Sequence, residues 1–93
     1  MKHLTLLLLA ASINVSAVDL ETCKSVSDSA SKIMTIRQSG ALMADLMGRS
    51  DSEIFQKLVI AAYSKPKYGS PKYIKRSIQS FSNDWYLQCV KAS

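Results

Sequence analysis

The sequence predicts an all-α domain, a compact bundle of about four helices with the first and last joined by a disulfide. Three observations predict it. Apolar residues recur at spacings of three and four through four separate segments, and no stretch shows the period-two alternation of a half-buried strand. Helix start and stop signals punctuate those segments at Asp19, Gly40, Ser50, Pro66 and Ser70. Cys23 and Cys89, the only cysteines, fall near the start of the first segment and the end of the last.

The chain has 93 residues, 47% of them hydrophobic and 20% charged, with 3 Gly and 2 Pro. That apolar content excludes a disordered tail, and the few Gly and Pro exclude low-complexity or collagen-like chains. A two-domain enzyme does not fit this length. The first residues, Met1, Lys2 and His3, precede a Leu-rich run at 4–11 and the short side chains of Val15, Ser16 and Ala17. A cationic start, a brief apolar core and a small-residue end are the pattern of a secretory signal peptide. Asn14 and Asp19 interrupt the run well before the ~20 apolar residues a membrane span requires. The expected organisation is a signal peptide over 1–17 and one helical domain over 18–93. Cleavage after Ala17 leaves 76 residues with 11 basic and 7 acidic side chains, net +4. It also removes His3, the one histidine.

The first helix is expected to start at Asp19 as N-cap, with Leu20, Cys23, Val26 or Ser27, Ala30, Ile33 and Met34 on one face and Gly40 at its end. A short second helix is expected from Ala41 to Met47, with Leu42, Met43, Leu46 and Met47 on one side. Ser50-Asp-Ser-Glu53 reads as a capping box opening the third helix. Its stripe is Ile54, Phe55, Leu58, Val59, Ala62 and Tyr63, and Pro66 stops it. The fourth follows a linker over 65–71, with Ser70 as N-cap and Pro71 at the first helical position. Ile74, Ile78, Phe81, Trp85 and Cys89 form its face, with Tyr86 and Val90 beside it.

A core of 76 residues is modest, and domains of this size commonly rely on a disulfide or a partner. In an exported chain the two cysteines have one possible connectivity, Cys23 to Cys89. The pairing brings the two chain ends of the domain together, so helices one and four run antiparallel, with the middle helices packed across that pair.

Loss of His3 leaves a mature chain without the commonest general base and metal ligand. Ser/His/Asp, Cys/His and HExxH arrangements are excluded, and no Gly-rich phosphate loop or calcium-loop spacing is present. The carboxylates sit mainly at helix starts and exposed positions, where capping and dipole effects account for them. No catalytic residue, metal or cofactor is expected, and the chain is read as a non-enzyme.

Charge is distributed unevenly. Val18 to Glu53 carries four cations and six acids, while Ile54 to Ser93 carries seven cations and one acid. Lys65, Lys67, Lys72, Lys75 and Arg76 fall within twelve residues, interleaved with Tyr68 and Tyr73. The export signal argues against nucleic acid as the partner. Phospholipid headgroups, lipopolysaccharide or an acidic protein surface remain. Lys72 lies in a first helical turn, where the macrodipole disfavours a cation, so its charge does not serve the helix.

The motifs Ile33-Met34-x-x-Arg37-Gln38-x-Gly40-x-x-Met43-x-x-Leu46-Met47, Ala62-Tyr63-x-x-Pro66-x-Tyr68 and Tyr86-Leu87-x-Cys89, with Cys23, cover nearly the whole domain. In these the chain resembles a group of small exported two-cysteine helical proteins of phages and Gram-negative bacteria. The resemblance implies a periplasmic helical domain with a Cys–Cys staple and carries over no catalytic residue. The expectation is a non-enzymatic periplasmic interaction protein that modulates an envelope process, such as phage superinfection exclusion or lysis control, by docking an envelope protein. The expected contacts are Arg37 and Gln38, at the hinge between helices one and two, and Lys65, Lys67, Tyr68, Lys72, Tyr73, Lys75 and Arg76. The alternative is a periplasmic chaperone or a binder of anionic membrane or lipopolysaccharide through the basic stretch. The oligomeric state stays open.

Overall fold

A computed structural model describes residues 19–92, so the expected signal segment 1–17 lies outside the described residues. Four helices follow in order: α1 Leu20–Gln38, α2 Met43–Met47, α3 Glu53–Tyr63 and α4 Pro71–Ala92. No strand occurs among the described residues.

Asp19 caps α1 as expected. Its Oδ1 accepts from the Thr22 amide at 3.2 Å, and its Oδ2 accepts from the Thr22 hydroxyl at 2.5 Å. The hydroxyl bond first, then the amide bond, lowers the Asp19 pKa below its ordinary 3.8, because both favour the ionised form. At the other end Gly40 takes φ +98°, a left-handed conformation that a side chain resists. Its N–H donates to Arg37 O at 3.1 Å, and the Ala41 N–H donates to Ile36 O at 3.4 Å. These two bonds are a Schellman closure. Because Ala41 is tied back to α1, α2 starts two residues later than expected, at Met43.

The start of α3 also differs from expectation. Ser52, not Ser50, is the N-cap, accepting from the Phe55 amide at 3.4 Å. Ser50 Oγ instead accepts from the Ser52 amide at 3.0 Å and holds the approach to the helix. Glu53 is therefore the first helical residue and closes no capping box. For α4 the expectation holds: Tyr73 N–H donates to Ser70 Oγ at 3.4 Å, and Pro71 opens the helix.

The Cys23–Cys89 disulfide joins the start of α1 to the end of α4, with Cα atoms 5.5 Å apart. The two helices are antiparallel, and midway along the seam the Ser82 hydroxyl donates to Ser27 O at 3.0 Å. The two serine oxygens lie 2.7 Å apart. A disulfide fits an oxidising compartment. Among the described residues no helix is long and apolar enough to cross a membrane.

The core comprises Ala30, Ile33, Met34, Leu46, Leu58, Val59, Ala62 and Phe81. Each fully buried Met, Leu or Val side chain contributes about 1.5–3 kcal/mol. α1 packs against both α4 and α3, and α2 packs on α3, with side chains of all four helices meeting in this one core. Ser27 meets α4, while Val26 lines a groove with Phe55 and Leu58 of α3, so both of the alternatives at 26 and 27 are used. Three residues of the expected apolar faces are exposed: Leu20 at 58%, Leu42 at 69% and Ile54 at 43%. Leu20 and Ile54 stand in the first turn of their helices, and Leu42 immediately precedes α2.

Candidate functional site

The site is built where the chain leaves α3. Ser64 caps that helix and Pro66 cannot continue it, so the backbone runs irregularly from Lys65 to Ser70 before α4 begins. A loop of this kind needs partners for its backbone groups, and the end of α1 supplies them. Gln38 is 4% exposed. Its Nε2 donates to Pro66 O at 2.8 Å, and its Oε1 accepts from the Tyr68 amide at 2.8 Å. One side-chain amide thereby satisfies a carbonyl and an N–H two residues apart. Nε2 also lies 3.5 Å from Met34 Sδ.

Arg37 completes the clamp. Its Nη2 donates to Lys65 O at 3.0 Å, and its guanidinium lies 4.9 Å from the centre of the Tyr63 ring. Tyr63 in turn donates its hydroxyl to Ala41 O at 2.6 Å, fixing the turn after α1. Buried Arg37 Nε makes no hydrogen bond.

This geometry revises the role of two expected contacts. Gln38 is buried and its amide is occupied within the protein, so it positions the loop and offers no surface to a partner. Arg37 is half-buried, and one of its nitrogens holds the same loop. The sequence placed both at a hinge; their partners lie 28 and 30 residues further along, where no local spacing reveals them.

The remaining candidates are exposed: Lys65, Lys67, Tyr68, Lys72, Tyr73, Lys75 and Arg76. The structure divides them. Lys65, Tyr68, Tyr73 and Arg76 line a cleft of about 290 Å³ between the loop and α4, together with Pro66, Ser77, Ser80 and Asp84. Met34 and Phe81 form its floor. Lys67, Lys72 and Lys75 do not line it. The stem of Lys67 lies over the α1 turn, where a Cβ on Gly40 would stand 3.5 Å from its Cε. The Tyr68 and Tyr73 rings are tilted with centres 6.1 Å apart, and the Arg76 guanidinium lies 5.7 Å from the Tyr73 ring centre. Among the described residues the one ion pair is Lys24–Asp28, so the five cations of 65–76 are not neutralised by the fold.

Asp84, Ser77 and Ser80 had no motif to single them out. Their signal was the spacing of Arg76, Ser80 and Asp84 at i, i+4 and i+8, which places them in one row on α4.

Among the described residues no three His, Cys, Asp or Glu side chains come together as a metal site would require. Comparison with protein-family models, curated proteins and solved structures finds no match for this chain.

Proposed function

We propose that the mature chain, residues 18–93 after removal of a signal peptide, is a non-enzymatic periplasmic interaction module. It docks an envelope protein and so modulates an envelope process, with phage superinfection exclusion and lysis control as the processes suggested by the small exported proteins it resembles. The observation that carries this reading is the clamped loop. Three hydrogen bonds made by the Arg37 and Gln38 side chains hold the backbone of 65–68, which carries Tyr68, Lys65 and Lys67 beside Tyr73 and the further unneutralised cations of α4. Solvated lysines on a disordered loop would need no such frame. Preorganised aromatic and basic side chains are what a protein-docking surface requires, because ordering them at the moment of binding costs affinity. The lone disulfide supports export, since such bonds persist in oxidising compartments.

Position-scanned photo-crosslinking in the periplasm tests the reading. A crosslinker at Tyr68 or Tyr73 is expected to give a discrete adduct, and one at Ile60 or Leu87, exposed on other helix faces, is expected to give none. Reversing charge at Lys65, Lys67, Lys72 and Lys75 should abolish the adduct. An adduct pattern independent of position, or one that survives charge reversal, overturns it. Adducts confined to lipid would support the anionic-surface alternative instead.

A further inference from the structure

We infer that the cleft between the 65–68 loop and α4 is a subsite for a short extended peptide segment of mixed charge. The segment carries a carboxylate at the Arg76 end, a cationic side chain at the Asp84 end, and an apolar side chain between them. The inference rests on the protein-docking reading and specifies the partner's chemistry.

The argument begins from the charge row on α4. Arg76 and Asp84 are eight residues apart, which is about 12 Å along a helix axis. Both line the cleft, with Ser80 between them. Neither forms an ion pair among the described residues, and Arg76 lies against the Tyr73 ring. Lys65 adds a second cation. An extended chain advances about 3.3–3.6 Å per residue, so three to four residues span the row.

Phe81, which falls between Arg76 and Asp84 on α4, and Met34 are buried and give the cleft apolar surface, and the tyrosine pair stands beside Arg76. Apolar surface there favours a side chain of Leu or Met size. The hydroxyls of Ser77 and Ser80 each offer one donor and two acceptor positions to a peptide backbone. At about 290 Å³ the cleft is at the lower end of ligand-sized sites, which suits a few residues of a partner.

Asp84 decides between occupants. It is the one acid between Glu53 and the end of the chain, and it stands inside the cleft. A uniformly anionic ligand, such as a phospholipid surface or a polyanion, meets repulsion at that end. A mixed-charge segment meets an opposite charge at both.

The test is an NMR titration of the oxidised protein with four capped tetrapeptides. Two carry mixed charge (Asp-Ala-Leu-Lys and its reverse, Lys-Leu-Ala-Asp) and two carry one sign (Asp-Ala-Leu-Asp and Lys-Ala-Leu-Lys). One mixed peptide is expected to bind about fivefold more tightly than either same-sign peptide, at the upper range for a partly exposed charge pair, with shifts confined to the cleft. Asp84→Asn should erase its advantage over the acidic peptide, and Arg76→Gln should weaken it about threefold. Equal binding of mixed and acidic peptides, no binding of any, or a preference that survives Asp84→Asn overturns the proposal. Cleft shifts with phosphatidylglycerol vesicles but not with peptides overturn it in favour of a membrane ligand. If the Tyr68 and Tyr73 crosslinks form while the peptides show no charge preference, this inference fails and the docking reading stands. If the crosslinks also fail, both fall.

Discussion

Gln38→Met removes the clamp while keeping side-chain volume close to the original. Two hydrogen bonds are lost, to Pro66 O and from the Tyr68 amide, both at 2.8 Å. Each such bond is worth about 0.5–1.5 kcal/mol net. Pro66 and Tyr68 are both exposed, so water re-solvates the released groups and the larger penalty for buried orphans does not apply. The buried thioether replaces a buried amide beside Met34, which is close to neutral for packing. The total is about 2 kcal/mol. In a domain of this size that lowers Tm by about 8–16 °C. Thermal unfolding of the oxidised protein by circular dichroism measures the shift, and hydrogen exchange reports the Tyr68 amide directly. Protection of that amide should fall to the level of an open loop. A Tm within 2 °C of wild type together with a still-protected Tyr68 amide would refute the clamp.

Replacing Cys23 and Cys89 together by Ser opens a loop of 67 residues, for which the chain-entropy account gives about 4 kcal/mol; a urea midpoint unchanged by the double substitution would contradict it. Gly40→Ala forces a Cβ into a left-handed residue at φ +98° and should cost about 1 kcal/mol in urea unfolding. Gly48→Ala, at φ −79°, should be neutral or slightly stabilising, and equal effects at both sites would sink the argument. Thr22→Val removes the largest cause of the lowered Asp19 pKa, so carbon-13 titration should show that carboxyl moving up toward 3.8. In wild type the ionised cap is present above 3.8 and its contribution disappears as pH falls through the depressed value; the variant should lose it at higher pH, and an unmoved titration would count against the bond.

Local signals are legible in this chain and long-range ones are not. Asp19, Gly40, Ser70 and Pro71 carry their instruction within four residues, and each acts where the sequence places it. Ser50 and Glu53 show the limit of that logic, because Ser52 offers a second hydroxyl in the same window and wins the cap. The disulfide was legible because two cysteines admit one pairing. The packing of α3 on α1 was less so, because the sequence offers Val26 and Ser27 as alternatives where the fold uses both, Ser27 against α4 and Val26 in a groove with α3. For the site, the exposed cations and tyrosines were visible as composition. The clamp was hidden, since a glutamine that closes a loop 28 residues away looks the same in sequence as one facing solvent. Asp84 was hidden for a related reason: its importance comes from the cleft it shares with Lys65 and Tyr68 on another segment.

The most direct test of the docking surface is the affinity of the crosslinked partner for wild type and for the variant reversed at Lys65, Lys67, Lys72 and Lys75, measured at low and at about 0.3 M salt. At that higher ionic strength the Debye length is shorter than the ~8 Å of physiological salt. Steering by the exposed lysines then weakens, while contacts made by the tyrosines in the cleft persist. The expected result is at least a tenfold loss for the variant at low salt and a wild-type complex that survives at high salt. Equal affinities for the two proteins, or a wild-type complex that vanishes at high salt, would contradict the account.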